Sequence, residues 1–341
     1  MLKKLIDIYP GESFYSYIAR LYAHSGLLWN TGIAKEILAR PNEYVNHNFI
    51  NVLRKDFRKQ LETYISFEDI LMEHTLFKYY VRFLPRQKRI KAYGVALKNE
   101  SNLSFKYLPI PVIRRDYYLR YCPRCVEEDR KKYGECYFHI DQQIPEVHCC
   151  SKHKLKLIDT QIKNSESYES TFIPLEIVVN RLDETPASNI EARVAEYISL
   201  LQKENLEIEN ENEIGRFLSS KLDDKYFAPR GQRKLLTSVV RDITNHYEGL
   251  SGFNLSRQRV MTILNGAYIN TYDICLLALF ENISPEELNQ QRIDKENRWE
   301  IFDKKVKELK EKGLKNNEIA KIMKVNKEVI RQIVLGKYYT K

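Results

Sequence analysis

Five of the six cysteines in this chain, and three of its seven histidines, lie between residues 121 and 153 in the segment YCPRCVEEDRKKYGECYFHIDQQIPEVHCCSKH. Thiolates and imidazole nitrogens are the ligands that zinc prefers, and ligand pairs separated by two residues are favoured because a tight turn points both side chains at one ion. The segment contains three pairs with this spacing: Cys122 with Cys125, Cys136 with His139, and Cys150 with His153.

The first and third pairs are the predicted metal ligands. Pro123 presets the turn inside the first pair, and Ser151 and Lys152 are compatible with a turn inside the third. The middle pair encloses Tyr137 and Phe138, which are strand formers, and residues three apart in a strand point to opposite faces. The sequence therefore predicts one structural zinc ion with four ligands: Cys122, Cys125, Cys150 and His153.

Four ligands of this type would close the coordination shell, whereas a catalytic zinc keeps one position open for water. Between the two pairs lie 24 residues, with a helix-like stretch VEEDRKKYG and a strand-like stretch CYFHIDQQI. This length favours a ribbon or treble-clef type of zinc module over a ββα finger. Two alternatives stay open: the segment binds no metal, or a spare residue replaces one predicted ligand. The spare residues are Cys136, His139, His148 and Cys149.

The composition describes the kind of protein that carries this cluster. Apolar residues make up 43% of the 341 residues and charged residues 30%, with 12 glycines and 11 prolines, which is typical of a soluble, globular, helix-rich chain. No stretch has the length of a membrane span or the features of a secretory signal, so we expect a cytoplasmic protein without a membrane partner. Clustered cysteines in a reducing compartment favour a metal site over disulfides, and Cys275 is predicted to be a core residue.

Helices are predicted to position the cluster. Apolar residues recur at helical spacing over residues 12–25, 31–40 and 67–84, the last of which has Ser66 as its N-cap and ends at Pro85. The short connection between the first two helices would suit a helix-turn-helix, although a packed helix pair is the more ordinary interpretation.

The predicted fold class is mainly α with a small β-containing zinc module, in a multi-domain chain with helix-turn-helix elements. The predicted domains are an N-terminal helical domain (1–115), a zinc-binding module with short β segments and loops (116–182), a second helical domain with an exposed acidic connection at 204–213 (183–300), and a basic helix-turn-helix tail (301–341).

The tail has a concentrated positive charge. Residues 303–341 contain twelve lysines and arginines against five acidic residues, a net +7 of the chain's formal +9. Three short helices are predicted here, with Gly313 in the first turn and with Asn317 and Asn326 as N-caps of the second and third helices. The third helix would bury its apolar side and leave a basic, amide-bearing side outward.

Such an outward face suits the major groove of DNA, because arginine can bond guanine bidentately, glutamine can bond adenine, and lysines can contact phosphates. A three-helix packing module that binds no DNA is the alternative. The predicted DNA contacts are Lys324, Lys327, Arg331, Gln332 and Lys337 in the tail, with Arg230, Arg233, Lys234, Arg257 and Arg259 as further candidates in the second helical domain.

Three segments resemble the TnsD/TniQ family of transposon target-site selectors: PGESFYSYIARL at 10–21, HTLFKYYVRFLP at 74–85, and RYCPRCVEEDRKKYGECYFHIDQQIPEVHCCSKHKLKL at 120–157. The last is similar to a family pattern of C-P-x-C, Y-G and C-x-x-H, and the HTLF sequence favours the TnsD branch. The chain departs from the pattern at Ser151 and Lys154, which stand where the family often has proline and glycine.

The resemblance implies a non-enzymatic adaptor that recognises an attachment site in double-stranded DNA and recruits an AAA+ ATPase regulator and the transposase. A second hypothesis is a TniQ-type adaptor that bridges a CRISPR RNA-guided effector complex to the transposition machinery. A third is an unrelated zinc-containing transcription regulator. An enzyme is the least favoured class, because no nucleophile motif, phosphate-binding loop or open metal triad is present. The protein would be nucleoid-associated when bound to DNA.

Overall fold

The computed structural model of the protein describes residues 4–27, 29–41, 43, 45–101, 107–108, 118–163, 172–227, 234–267, 270–291, 298–323 and 325–335. The α-helices of this part of the chain are α1 Phe14–His24, α2 Asn30–Ile37, α3 Lys55–Leu61, α4 Phe67–Glu73, α5 Phe77–Val81, α6 Arg86–Lys98, α7 Pro123–Tyr133, α8 Leu175–Val178, α9 Asn189–Lys203, α10 Ile214–Lys221, α11 Leu236–His246, α12 Arg257–Leu264, α13 Thr271–Phe280, α14 Pro285–Gln290, α15 Arg298–Glu311, α16 Asn316–Ile322 and α17 Lys327–Val334.

A small antiparallel sheet frames the cysteine cluster. Its strands are β1 Tyr118–Tyr121 and β2 Ile158–Lys163, paired with Arg120 opposite Asp159. Strand β1 ends immediately before the first predicted ligand, and β2 begins five residues after the last one. The sheet therefore brings the two ends of the cysteine-rich segment together. The prediction of a mainly α chain with a small β element is confirmed.

The continuous helix predicted over 67–84 is wrong, because the chain breaks between α4 and α5. Ser66 caps α4 as predicted, by accepting a hydrogen bond from the backbone of Asp69. At the break, the Thr75 hydroxyl donates to the carbonyl of Leu71 at 2.5 Å and accepts from the Phe77 amide at 3.1 Å. The carbonyl of His74 accepts a hydrogen bond from the backbone at the start of α1. These bonds replace those of a continuing helix.

The strand-like stretch CYFHIDQQI does not form a strand. Its backbone instead bonds to the segment that leads into α1: Ser13 donates to the Phe138 carbonyl at 2.8 Å, and the amide of Ile140 donates to the Gly11 carbonyl at 2.8 Å. Only a single bridge, between His139 and Glu12, has β geometry there, and a 3₁₀ turn follows at Asp141–Gln143. Partners far away in sequence thus satisfy the backbone groups that a strand would use.

Three hydrophobic cores, besides a small cluster of Leu155 with three of the predicted metal ligands, organise the described residues. One core contains apolar side chains of α1 to α4, β1, α7 and α8. A second, larger core contains side chains of α4 to α6, the segment 144–149, and α9 to α14. Helix α4 contributes to both, with Ile70 in the first and Leu71 in the second. Both cores therefore contain side chains from more than one of the predicted domains.

The third core belongs to the tail alone. It is formed by α15, α16 and α17 around Val306, Ile319, Ala320, Ile330 and Ile333. Gly313 turns the chain after α15 with a φ of 84°, in the left-handed region that glycine adopts without strain. The predicted caps differ in outcome. Asn326 caps α17 as expected, whereas α16 begins one residue before Asn317, at Asn316.

The acidic segment 204–213 connects α9 to α10 and lies against α6. Its backbone carbonyls accept hydrogen bonds from arginine side chains: Arg82 reaches the carbonyl of Glu204 at 3.0 Å, and Arg89 reaches the carbonyl of Ile208 at 2.8 Å. Arg89 is buried, so this contact holds the helix α6 against the connection. The segment is exposed as predicted on its other side.

Candidate functional site

The four predicted metal ligands form one cluster in which their ligand atoms all lie within 4.8 Å of one another. The Nδ1 atom of His153 lies 3.4 Å from the Sγ atoms of Cys122 and Cys125, and 3.7 Å from that of Cys150. The Sγ atoms of Cys125 and Cys150 are 3.7 Å apart. A zinc ion at the usual bond lengths in a tetrahedron separates two sulfurs by about 3.8 Å and a sulfur from a nitrogen by about 3.5 Å. The cluster therefore has the size to hold one zinc ion.

Local structure explains how each pair of ligands converges. Cys122 is the N-cap residue of α7 and Pro123 is its first residue, so Cys125 lies in the first helical turn. The second pair lies on a turn in which Lys154 donates its backbone N–H to the Cys150 carbonyl at 2.9 Å. Lys154 has a φ of 58°, a conformation that favours glycine. This is the position at which the resembled family often has glycine.

Neighbouring polar groups orient the ligands. The Gln142 side chain accepts a hydrogen bond from the Cys122 amide at 3.0 Å and donates to the Cys125 sulfur at 3.3 Å. Glu128 places Oε1 3.1 Å from Nε2 of His153, the ring nitrogen that faces away from the cluster. A carboxylate at this position fixes the ring so that Nδ1 is available to a metal.

The spare cysteines lie outside the cluster as buried thiols. Cys136 donates its S–H to Glu176 Oε2 at 2.9 Å, and burial together with this carboxylate raises the pKa of the thiol. Burial also raises the pKa of Cys149 to about 12, and Cys275 is buried within α13 with a raised pKa for the same reason. Neutral buried thiols of this kind pack as small apolar groups.

The spare histidines also have partners of their own. His139 Nε2 lies 2.8 Å from Asp129 Oδ2, and the ring stacks on Tyr137 at 4.3 Å between centroids. Burial has the largest single effect and lowers the pKa of His139, but the hydrogen bond to Asp129 and the negative charges of Asp129 and Asp141 together outweigh it, so the pKa is raised. His148 is exposed and lies 3.4 Å from a guanidinium nitrogen of Arg120. Neither imidazole points into the metal cluster.

The tail displays its predicted DNA-contact residues on α17. Lys327 and Arg331 are exposed and Gln332 is half-buried. The Glu328 side chain contacts both Arg331 and Gln332. Its Oε2 lies 3.5 Å from Arg331 Nη1, and its Oε1 accepts a hydrogen bond from the side-chain Nε2 of Gln332 at 3.4 Å. Two further predicted contacts, Lys324 and Lys337, lie outside the described residues.

The further candidate cations are in different environments. Arg257 is exposed at the first position of α12, whereas Arg259 is half-buried and its Nε donates to Asp273 Oδ2 at 2.7 Å. Lys234 donates to the carbonyl of Leu264 at 3.3 Å. Arg259 is thus committed to a buried carboxylate that joins α12 to α13. Two further candidates lie outside the described residues: Arg230 and Arg233.

One basic surface was missed by the sequence reasoning. Helix α6 carries five basic residues and no acidic residue between positions 85 and 98. Lys88, Lys91 and Lys98 are exposed on it. The sequence indicates this surface through the absence of Asp and Glu between positions 85 and 98. The net charge of the whole N-terminal region does not show this local excess of positive charge.

Comparisons with known proteins agree with the motifs. Residues 5–157 match the family model described as TniQ. The chain is also 25% identical over 148 residues to the transposon Tn7 transposition protein TnsD of Escherichia coli, an alignment that covers 42% of this chain and 29% of that relative. The match therefore spans less than a third of that relative's length. Among the described residues, no helix is long and apolar enough to cross a membrane.

The matched region contains all three segments that carry the resemblance, together with the four residues of the metal cluster. Helices α1 to α4 and α7 of the matched region share one core with β1 and part of the cysteine-rich segment, whereas α5 and α6 lie in the larger core. Residues 5–157, which are fewer than half of the 341 residues of this chain, are therefore similar to the TniQ family.

Proposed function

We propose that the protein is a target-site selector for transposition, which binds double-stranded DNA through its tail and recruits an AAA+ ATPase regulator and the transposase. The observation that carries the proposal is the combination of a TniQ region at residues 5–157 with a basic three-helix tail that has its own core. The first supports a role in transposition. The second supports a separate DNA-reading unit of the helix-turn-helix type.

The geometry of α17 supports its role as the recognition helix. Ile330 and Ile333 are buried against α15 and α16, which turns the opposite side of the helix outward. Arg331 lies on that outward side with a side chain that is 62% exposed, long enough to reach a base edge. Lys327, at the N-terminal end of the helix, is placed to meet a phosphate. Glu328 would be the partner of the Arg331 guanidinium in the free protein, and a guanine base would take the place of Glu328 in the complex.

The zinc ion has a structural role in this proposal. Cys122, Cys125 and Cys150 would supply three thiolates and His153 one imidazole, a ligand set that would leave no position for a reacting water. The ion would join the start of α7 to the turn at 150–153, and Lys154 in that turn pairs with Glu196 of α9 at 2.6 Å. A closed site of this kind suits an adaptor whose surfaces, rather than its metal, carry the function.

Sequence-specific binding can be tested with Arg331→Ala. This change should weaken binding to the attachment site by roughly 1 to 3 kcal/mol and relax the preference at one base position, because a bidentate contact to guanine is lost. The matched control Lys327→Ala should weaken specific and scrambled duplexes alike and lower the salt dependence by about one unit, as a phosphate contact does. Binding is measured by fluorescence anisotropy in a salt titration.

Footprinting of the purified chain on genomic fragments provides the second arm. Protection of one discrete site by the protein alone is the expected result. If no site is protected until a guide RNA complex is added, direct selection is wrong and the bridging adaptor replaces it. If both tail variants retain wild-type affinity and salt dependence, the tail is a packing element and does not read DNA.

A further inference from the structure

The exposed side of α6 is a basic surface formed by Lys88, Lys91 and Lys98. At 3.6 residues per turn these three side chains fall within an arc of about 80°, and at 1.5 Å per residue the first and last are about 15 Å apart along the helix. No acidic residue occurs between positions 85 and 98. The three lysines therefore form one row of positive charge that no acidic residue of the helix interrupts.

The row lacks acidic partners among the described residues. Lys91 lies over the ring of Tyr107 at 5.9 Å, and no described carboxylate forms an ion pair with any of the three lysines. The acidic residues of the adjoining helices have other partners: Glu62 pairs with Arg58 at 2.9 Å, and Glu68 accepts a hydrogen bond from Tyr93. Glu100 lies just beyond the end of α6 and is exposed. It forms no ion pair with the three lysines or with any other described residue.

The helix that carries the row is anchored at both ends. Near its start, Arg89 is buried and bonded to the carbonyl of Ile208. At its end, Asn99 has a left-handed φ of 52°, and its side chain accepts from the Leu53 amide at 2.7 Å and donates to the Asn51 carbonyl at 3.1 Å. A fixed helix holds its three ammonium groups at constant spacing, which lowers the entropy cost of binding a periodic polyanion.

We propose that Lys88, Lys91 and Lys98 bind the phosphate backbone of double-stranded DNA. Three lysines at this spacing can contact up to three phosphates of the duplex, one each. Lysines on an exposed helix contact phosphates and carry no base readout of their own. The surface would supply affinity and register, whereas α17 supplies sequence preference. This inference rests on the DNA-binding function proposed above.

The test is a salt titration of duplex binding by the full chain. Replacing the row with Lys88→Ala, Lys91→Ala and Lys98→Ala should lower the slope of log K against log salt by roughly 2 to 3 units, at about 0.9 per phosphate contact. Specific and scrambled duplexes should lose affinity equally. The triple Lys→Arg variant should retain the slope, because arginine keeps the charge. Circular dichroism should show that all variants are folded, since the three side chains are exposed.

A matched control separates local contact from net charge. The triple variant Lys35→Ala, Lys131→Ala and Lys203→Ala removes the same charge from exposed positions elsewhere. Equal slopes for the two alanine triples would overturn the proposal and leave only a general charge effect. A wild-type chain that binds no duplex would overturn both this inference and the proposed function. A normal response to Arg331→Ala with an unchanged slope in the α6 triple would overturn this inference alone.

Discussion

Glu12 shows how one residue of the PGES motif connects two parts of the fold. Its side chain is fully buried, and one carboxylate oxygen lies 2.8 Å from Arg20 Nη1 and 3.0 Å from the Tyr9 amide. Burial raises the pKa of Glu12 to about 7, against the opposing effect of Arg20. Arg20 in turn pairs with Glu135 at 2.9 Å, beyond the end of α7. The motif therefore holds α1 against the cysteine-rich segment.

Also at the scale of single residues, the metal cluster can be tested with a pair of cysteine variants. Cys122→Ser should give poorly soluble protein with less than one zinc per chain, because metal-binding energy on the order of 10 kcal/mol contributes directly to folding in such modules. Cys136→Ser is the matched control: this thiol is equally buried but donates only to Glu176, a bond that a serine hydroxyl can replace. Zinc content is measured by elemental analysis.

The two outcomes are separable. Full zinc in Cys122→Ser together with zinc loss in Cys136→Ser would show that the ligand choice is wrong. Chelation of the wild-type protein should reproduce the loss of solubility and zinc seen in Cys122→Ser. The Cys136→Ser variant should be no more sensitive to the chelator than the wild-type protein.

At the scale of the elements, α10 and α12 pack with an unusually close approach. A Cβ atom added to Gly215 in α10 would lie 2.3 Å from the backbone nitrogen of Gly266 and 2.9 Å from the carbonyl oxygen of Ile263. Backbone atoms cannot move away as a flexible side chain can, so only glycine fits at this crossing. The contact lies in the core that also holds α5, α6 and α9 together.

We expect Gly215→Ala to destabilise the protein by at least about 1 to 3 kcal/mol through overpacking. Gly94→Ala in α6 is the control, because its added Cβ would meet nothing within 4 Å. That variant should be stabilised by up to about 1 kcal/mol, since alanine is the better helix former. The midpoints of urea unfolding measure both changes. A Gly215→Ala protein as stable as wild type would show that the two helices do not cross as described.

At the scale of the whole molecule, the cores indicate where the chain can be divided. Leu201 of α9 is fully buried in the large core, so a cut near residue 200 passes through a packed helix. The tail core, in contrast, contains no side chain from before residue 302 among the residues that the structure describes. The predicted domain boundaries stay a prediction, and removal of the tail is the division that these contacts favour.

A fragment of residues 1–297 should therefore fold and still bind the ATPase regulator in a pull-down, because the TniQ region and both large cores remain. It should lose sequence-specific DNA binding, while the α6 lysines retain weak binding to any duplex. Footprinting compares the fragment with the full chain. Protection of the same discrete site by the fragment would place the DNA reader before residue 298, with the exposed Arg257 on α12 as the first residue to change.

Features whose interactions are local could be predicted from the amino-acid sequence. The two ligand pairs could be recognised because a two-residue spacing and a tight turn are local properties, and the structure brings these four side chains together. The N-caps at Ser66 and Asn326 could also be predicted, because each accepts a hydrogen bond from a residue two or three positions later. The basic tail and its three helices follow from composition and helical spacing within about forty residues.

Features that depend on partners distant in the sequence became evident in the three-dimensional fold. The helix breaks next to Thr75 because the His74 carbonyl accepts a hydrogen bond from the amide of Phe14 in α1. No strand forms at Phe138 because the backbone there bonds to Ser13, just before α1. The pairing of Arg259 with the buried Asp273 on the next helix is a contact of this kind, and the predicted role of Arg259 in DNA binding stays a prediction. Helical spacing puts Lys88, Lys91 and Lys98 on one side of α6, but it is the packing of Arg89 against the 204–213 connection that leaves this side facing solvent. Each of these results reflects a hydrogen bond or ion pair that a local pattern cannot specify.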